Sequence, residues 1–383
     1  MGGKPASNWG GMRAISAAAI ILSQVARAQS WQAVDQSLLL NYVCCDQSAQ
    51  TLYGTYQDGP VLLKSTNGGA TWSEVLHADG AVACSVDGAK VSVRSAFSTN
   101  GAASFVTPPT APNVAVWSAN GNMLVLAGAG IYITTNNGVS WAAPASVQDT
   151  TWGYLALSSS GRFIIAIPAS NPAPIYLSTN YGVNWRQTTA PTALWRSIAC
   201  TADGSKIIAG MANGPLDISE DSGQTWQQQI MAGPRLSGTN HSCSALTCSA
   251  DGSLTVAVCS DGHDGGIYVS RDFGSTWAYD GLPPTTGPVA CTPDGTTLVA
   301  ASGAEVLVQH LAPTLYLSAS SNQLTLSWPA PSSQYALQQI SDLGSTNWAA
   351  VKNAITVTNY RNQVTLPAPA VGNVFYRLNG PGS

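Results

Sequence analysis

Short apolar segments with a two-residue alternation recur along most of the chain, and each runs into a tight polar turn and then into another apolar segment. Clear copies are residues 82–88, 198–204, 246–252 and 289–295, in which Asp-Gly separates the two apolar runs. Asp-Gly between alternating strands is typical of a β-hairpin. With two looser copies at 116–121 and 156–161, and a divergent first copy at 43–49, the pattern predicts seven inner hairpins.

A second pattern, eight residues long, follows most of these hairpins. It has Ser or Thr first, Asn or Asp third, Gly fifth and Trp eighth, and we call it the box. The complete copies are 65–72, 134–141, 178–185, 219–226 and 270–277, with a worn copy at 98–105. The hydroxyl and the Asn or Asp side chain can accept hydrogen bonds from turn amides, Gly allows a positive φ, and Trp packs between sheets. A structural role is therefore expected for Ser65, Asn67, Trp72, Asn136, Trp141, Asn180, Trp185, Asp221, Trp226, Asp272 and Trp277.

The box resembles the Asp-box, or BNR, repeat S-x-D-x-G-x-T-W. Residues 29–312 are similar to the Asp-box β-propellers, which include sialidases, xyloglucanase-type glycosidases, sortilin-type receptors and the photosystem II assembly factor family. The resemblance implies an all-β, seven-bladed β-propeller. The seventh blade lacks a box and an outer strand, whereas residues 30–34 look like an outer strand without its box. We therefore expect the N-terminal strand to close the ring as the outer strand of the last blade.

The composition changes after residue 312. Residues 324–328, 335–339 and 374–378 alternate like half-buried strands. Residues 313–383 resemble the small fibronectin-like or immunoglobulin-like modules of secreted bacterial proteins. This resemblance implies a C-terminal β-sandwich that spaces or anchors the propeller.

The N-terminus indicates export. Lys4 and Arg13 precede the apolar run 14–22, and Ala26-Arg27-Ala28 is a small-x-small cleavage pattern, so residues 1–28 read as a signal peptide. A membrane anchor is the alternative, but nine apolar residues are too few to span a bilayer. The sequence thus predicts a secreted protein, extracellular or periplasmic, with cell-surface association as a further option and no membrane insertion after cleavage.

The small number of charged residues and their sign limit the fold classes and partners that can be expected. Only 9% of the residues are charged, against roughly 25% in average proteins, which argues against a helical bundle or coiled coil. Cleavage would leave 12 basic and 19 acidic residues. Nucleic acid and anionic membranes are therefore not expected as partners.

The eight cysteines fall into two groups. Cys45, Cys84, Cys200, Cys248 and Cys291 occupy one position of the repeat, so ring symmetry predicts that they are unpaired and packed as small apolar residues. Cys243 and Cys259 lie opposite each other across one hairpin, which permits a disulfide. Free thiols at this pair remain the alternative.

Binding residues are expected on the loops opposite the boxes, because the boxes and Asp-Gly turns are short and uniform. Trp152 and Trp195 each lie five residues before the same inner-strand position, which predicts an aromatic pair at the channel mouth, although packing between blades is the alternative. Arg196 and Arg235 are candidates for contact with a carboxylate, with solvated surface arginines as the alternative.

A second candidate site lies in the sixth blade. The hairpin register places His241 opposite Asp261, with His263 and Asp264 nearby. Imidazole and carboxylate together can bind a divalent cation or act as acid and base. The spacing matches no specific metal motif, so metal binding is left undecided, and solvated loop residues are the alternative.

The sequence favours binding over catalysis. The resemblance to sialidases would imply an arginine triad, a Tyr nucleophile with a Glu partner and an Arg-Ile-Pro motif, but that motif is absent and the chain has only three Glu residues. The predicted function is a secreted, non-catalytic propeller that binds an extracellular glycan or protein at its loop face, without a cofactor. The alternatives are a glycoside hydrolase or lyase, with Asp261 and His241 as weak catalytic candidates, and a structural component of an extracellular or envelope assembly.

Overall fold

The computed structural model describes residues 19–21, 30–170, 172–231, 236, 241–261, 265–280, 287–320, 322–369 and 373–380. Regular structure in these residues is β-strand, apart from one three-residue 3₁₀ turn at Ala145–Val147. The predicted all-β fold class is confirmed. Within the same residues, no helix has the length and apolar character needed to cross a bilayer.

The strands are numbered β1 to β34 in chain order, and the first is β1 (Ala19–Ile21). The next strands are β2 (Gln32–Asp35), β3 to β6 (Leu40–Cys45, Leu52–Tyr56, Leu62–Ser65, Ser73–Leu76) and β7 to β9 (Ala83–Cys84, Val91–Val93, Ala96–Ser98). They are followed by β10 to β12 (Val114–Trp117, Leu124–Gly128, Gly130–Thr134) and β13 to β16 (Trp152–Leu157, Ile164–Pro168, Tyr176–Ser178, Arg186–Gln187). Then follow β17 to β20 (Trp195–Cys200, Ile207–Met211, Leu216–Ser219, Gln227–Gln229), β21 to β24 (Ser242–Cys248, Thr255–Ser260, Gly265–Ser270, Ala278–Tyr279) and β25 to β27 (Val289–Cys291, Thr297–Ser302, Glu305–His310).

Each of these groups from β3 onward forms one antiparallel sheet, numbered here as blades 1 to 7, and β2 joins the last. The innermost strands are β3, β7, β10, β13, β17, β21 and β25. Each contacts the next one along the chain, and β25 contacts β3. The described sheets therefore close into a ring around a central channel, which is consistent with the seven predicted blades. Blades 2 and 3 differ from the expected pattern, because their outer strands are reduced to the single bridges Phe97↔Val106 and Ile133↔Ala142.

The N-terminal strand closes the ring, as the sequence predicts. β2 lies antiparallel to β27, with Gln32 opposite Val308 and Ala33 opposite Leu307. The indole nitrogen of Trp31 donates a 3.0 Å hydrogen bond to the carboxylate of Asp280 in the segment after blade 6. Strand β2 thus occupies the outer position of blade 7 and is tied to the neighbouring blade.

The box turns share one hydrogen-bond pattern. In the first box, the Ser65 hydroxyl accepts from the Gly69 amide at 2.9 Å, and the Asn67 side chain accepts from the Thr71 amide at 2.9 Å. The Trp72 indole donates to the Gly69 carbonyl at 2.9 Å. The equivalent hydroxyl and side-chain acceptor bonds hold the boxes that begin at Ser98, Thr134, Ser178, Ser219 and Ser270. These side chains stabilise turns, in agreement with the structural role expected for them.

Residues 316–379 form two further sheets. Their strands are β28 to β34 (Tyr316–Ser320, Gln323–Pro329, Ala336–Ile340, Ala349–Ala350, Thr356–Thr358, Arg361–Pro367, Val374–Asn379), in the orders β28-β29-β33-β32 and β1-β34-β30-β31. Leu326 and Val364 of one sheet and Leu337 and Tyr376 of the other pack into a single core. This part of the chain is a β-sandwich, and β1 lies parallel to β34 at its edge. The rest of the predicted signal peptide, 1–18 and 22–28, lies outside the described residues.

The sandwich docks on the side of the ring that carries the Asp-Gly turns. The Arg361 guanidinium lies 2.6 Å from the carboxylate of Asp251 in the blade 6 turn. The Ser332 hydroxyl donates to Asp294 of the blade 7 turn at 3.2 Å. The loop side of the ring, where the inner strands begin, is the opposite one.

Candidate functional site

Four inner strands share a β-bulge near their first residue, at the loop side of the ring. The register with the second strand of the blade shifts between Leu40 and Tyr42, between Trp152 and Tyr154, between Trp195 and Ser197, and between Cys243 and Ala245. In each strand one residue is left without a cross-strand partner. A bulge bends the strand and redirects the side chains beside it, and bulges are frequent next to functional sites.

The bulges bring a distinct set of side chains to the channel opening. The unpaired residues are Asn41, Gly153, Arg196 and Ser244, and all except Gly153 are exposed. Beside them, Tyr42 is 44% exposed and Tyr154 is partly exposed. We define the channel mouth as Asn41, Tyr42, Tyr154, Arg196 and Ser244. It combines two phenol rings, one cation and two small polar groups, a set suited to binding by stacking and hydrogen bonding.

The expectation of an exposed tryptophan pair is wrong. Trp152 and Trp195 are each only 1% exposed. Their indole nitrogens donate 2.9 Å hydrogen bonds to the carbonyls of Val147 and Ala173, respectively. The Trp152 ring also packs edge-on against Tyr176, with 5.2 Å between ring centroids. Each tryptophan lies just before a bulge, where its side chain points into the interface between blades, so the core alternative describes both.

The structure describes one of the two candidate arginines and not the other. Arg196 is the unpaired residue of its bulge and is exposed at the channel mouth. Leu194, two residues earlier, is 42% exposed and adds an apolar contact beside it. Arg235 lies outside the described residues. Among the arginines predicted for the loop side, Arg196 is therefore the one that the structure places at a candidate site.

His241 does not form the predicted acid–base or cation site. The register Ser242↔Ser260 does place it next to the level of Asp261, but the imidazole is 1% exposed, and its Nε2 lies 3.0 Å from the Met231 carbonyl. Burial keeps this ring out of reach of a ligand in solvent. His263 and Asp264 lie outside the described residues. In the part of the chain that is described, no group of three or more His, Cys, Asp and Glu side chains is arranged to hold a metal ion.

The cysteines follow the two predicted groups. Cys243 and Cys259 form a disulfide across the first hairpin of blade 6, with 4.1 Å between their Cα atoms. The Met231 sulfur packs 3.4 Å from the Cys259 sulfur, so the Met231 side chain covers the bridge. Cys45, Cys84, Cys200, Cys248 and Cys291 are free thiols on five inner strands.

The inner thiols have raised pKa values. Burial raises the pKa of Cys45, Cys200 and Cys291 well above the ordinary value, and it raises that of Cys248 to about 12. For Cys84 the largest cause is a hydrogen bond with the neighbouring Cys44 thiol. A protonated thiol is a poor nucleophile. These cysteines therefore behave as small apolar side chains around the channel.

Comparisons with known proteins connect the ring of sheets to solved structures. No family model and no curated protein sequence matches the chain. YCF48 from Cyanidioschyzon merolae is similar with a TM-score of 0.55 and 16% identity over 73% of this chain and 98% of that one. A structure of YCF48 bound to D1 peptide has a TM-score of 0.55 and 15% identity over 74% of this chain and 99% of that one.

A glycoside hydrolase is similar to the same degree. The GH74 xyloglucanase from Xanthomonas campestris has a TM-score of 0.57 and 13% identity over 79% of this chain, which corresponds to 59% of the enzyme. The chain has the fold of a β-propeller. At these identities the likeness concerns the fold alone, which a peptide-bound protein and a xyloglucanase share.

Sequence reasoning missed most of the channel mouth. Asn41, Tyr42, Tyr154 and Ser244 were not among its candidates. The signal was present in the spacing, since Leu40 and Cys243, like Trp152 and Trp195, lie five residues before the inner cysteine position or its equivalent. The residue after each of these four positions is the one that the bulge leaves unpaired.

Proposed function

We propose that this protein is a secreted, non-catalytic binding propeller that holds a polypeptide segment of a partner protein at its channel mouth. The observation that carries the proposal is the bulge repeated in four inner strands, which gives four blades the same local geometry around one opening. A bulge exposes main-chain groups that a strand would otherwise use in pairing. An extended peptide can bond to such groups, while the Tyr42 and Tyr154 rings contact its side chains.

A related fold lends support to a peptide ligand. YCF48 is seen with a D1 peptide bound. In our chain, Arg196 is the one channel-mouth cation and Leu194 the neighbouring apolar side chain, so the opening offers mixed polar and apolar contacts. Burial of Tyr42 and Leu194 on binding would contribute roughly 1 to 3 kcal/mol each.

The proposal includes the finer expectations from the sequence. Residues 1–28 are removed on export, the mature chain is 29–383, the repeats belong to the Asp-box type, and residues 313–383 form a fibronectin-like or immunoglobulin-like spacer. A glycan at the channel mouth, hydrolysis of a glycan and an architectural role remain alternative predictions.

The test is a selection of peptides from a random dodecapeptide display library on immobilised chain 29–383. Binding of enriched peptides is then measured for Tyr42→Ala and Arg196→Ala, with Arg186→Ala on an outer strand as the control. We expect each channel-mouth variant to weaken binding about 5- to 50-fold and the control to match wild type. No enrichment, or equal losses in all three variants, would contradict the proposal.

A further inference from the structure

A second candidate site lies on the perimeter of the ring, between the outer part of blade 5 and the box of blade 6. It is a cavity of about 310 Å³. Its lining comes from the blade 5 box, from strand β20 and from Ser275 of the blade 6 box. This position is remote from the channel mouth, which is built from inner strands at the loop side.

Six of the seven residues that line the cavity are polar. They are Glu220, Asp221, Thr225, Gln227, Gln229 and Ser275, and the seventh is the buried Ile218. Glutamine amides both donate and accept hydrogen bonds. The cavity therefore presents donors and acceptors together with negative charge.

Asp221, the box carboxylate that lines the cavity, already accepts hydrogen bonds within its own turn. Asp221 accepts from the Ser219 hydroxyl and from the Gln224 and Thr225 amides, and its second oxygen accepts from the Thr225 hydroxyl at 2.6 Å. These bonds, that from the Thr225 side chain first, lower its pKa to about 2. None of them uses the side chain of Gln227 or Gln229. Glu220 pairs with the Lys206 ammonium at 3.6 Å, and the Ser275 hydroxyl donates to the Asp272 carbonyl. The two amides are thus the groups that remain for a ligand.

The glutamine pair is specific to blade 5. Gln227 and Gln229 lie one and three residues after the box tryptophan, on the same face of β20, because side chains alternate along a strand. Gln228 lies between them on the other face and pairs across the sheet with Asp217. At the two positions the other complete boxes carry Ser73 and Val75, Ala142 and Pro144, Arg186 and Thr188, and Ala278 and Asp280.

We propose that this cavity binds a neutral sugar unit of an extracellular glycan. Sugar hydroxyls both donate and accept hydrogen bonds, which the two amides match, and the negative charge of Asp221 disfavours anionic ligands. The volume lies at the lower end of the range for small-molecule sites, which suits one or two sugar rings. The same protein would then hold a polypeptide at its channel mouth and a glycan on its rim.

The experiment measures binding of chain 29–383 to neutral oligosaccharides, with cellohexaose, xylohexaose, mannohexaose and maltohexaose as probes, by saturation-transfer NMR and calorimetry in the presence of EDTA. Gln227→Leu and Gln229→Leu should each weaken binding about 3- to 10-fold, which is the loss of one hydrogen bond. Gln228→Leu is the matched control, since it makes the same change on the opposite face of the same strand. It should bind like wild type.

The same experiment distinguishes binding at this cavity from binding at the channel mouth. Tyr42→Ala and Arg196→Ala should leave oligosaccharide binding unchanged, so this proposal can fail or succeed independently of the peptide proposal. Failure of every probe to bind would overturn the proposal. An equal loss in Gln228→Leu, or binding that disappears in EDTA, would also overturn it.

Discussion

The backbone amide of Ala250 donates a 2.7 Å hydrogen bond to the carbonyl of Pro293, and this bond ends a series that links the Asp-Gly turns of neighbouring blades. The earlier members run from Gln47 to Val86, Val86 to Ala119, Ala119 to Ser159, Ser159 to Ala202 and Ala202 to Ala250. Proline has no amide hydrogen, so Pro293 cannot donate onward to blade 1. Closure between blades 7 and 1 uses other contacts: an apolar core that joins Leu40 and Val43 to Val299 and Val306, strand β2, and the bond from the Leu38 amide to the Ala304 carbonyl at 3.1 Å.

The first prediction follows from this junction. Removal of residues 29–38 from the mature chain should abolish cooperative unfolding of the propeller, because β27 becomes an exposed edge and Trp31 no longer bonds to Asp280. Calorimetry on chains 29–383 and 39–383 measures this directly. An unchanged melting temperature in the shorter chain would show that β2 is not needed for closure.

The second prediction concerns Asp217, a buried carboxyl group whose two oxygens have no hydrogen-bond partner. Other blades carry Leu63, Tyr176 or Tyr268 at this position, two residues before the box. Burial raises the pKa of Asp217 from 3.8 to about 6. Because the unfolded chain ionises more easily, the folded state loses stability as pH rises from about 4 to 6. Asp217→Leu should therefore stabilise the protein by up to about 3 kcal/mol at pH 7.

The control variant changes a carboxyl group whose pKa is shifted in the opposite direction. The pKa of Asp221 is lowered from 3.8 to about 2, mainly by the hydrogen bond from Thr225. Its contribution to stability is present above about pH 4 and is lost as the pH falls through 2, so Asp221→Asn should destabilise at neutral pH and have little effect near pH 2. Denaturant unfolding from about pH 2 to 8 tests both variants. A gain for Asp217→Leu that does not change with pH would contradict the assignment.

The third prediction is a count of thiols. Alkylation of the unfolded, unreduced chain should modify six of the eight cysteines, because Cys243 and Cys259 form a disulfide and the others are free. Mass spectrometry after digestion locates the bridge. Replacement of both cysteines by Ser should cost about 3 kcal/mol, as expected for a loop of this length. Eight modified thiols would exclude the bridge.

The fourth prediction concerns the contact between the sandwich and the ring. Arg361→Met removes the partner of a nearly buried Asp251 carboxylate and should lower the free energy of unfolding by about 1 to 3 kcal/mol. Arg377→Met is the control, since Arg377 bonds to Gln338 within the sandwich and stacks on Trp348. If the docking contact matters, Arg361→Met should also separate the melting of the sandwich from that of the propeller. Identical unfolding of both variants would argue against it.

The repeats made the fold predictable, whereas the channel mouth depended on local departures from them. Hairpin turns and boxes depend on residue types at fixed spacing, so the blades, the N-terminal closure and the cysteine pair could be read from the sequence. The direction of Trp195 and Arg196 could not, because a bulge changes which of two adjacent side chains is buried. The two-residue period of side chains along a strand predicts which of them are buried only where the strand is regular.

The burial of His241 and Asp217 also could not be predicted from the sequence. His241 was placed next to Asp261 by register, but its depth depends on Met231, which lies ten residues away and whose carbonyl accepts a hydrogen bond from the imidazole. Asp217 lies in a strand in which the equivalent positions are apolar or aromatic, and that comparison between blades was the available signal. Tertiary packing decides burial in both cases.

Hydrogen–deuterium exchange of chain 29–383, with and without a peptide selected from the library, tests the central claim most directly. The account predicts that the peptide slows exchange in the segments that begin the bulged inner strands, namely 40–45, 152–157, 195–200 and 242–248. It also predicts unchanged exchange at the box turns and an intact peptide after incubation. Protection confined to the box side or the sandwich, or cleavage of the peptide, would contradict it.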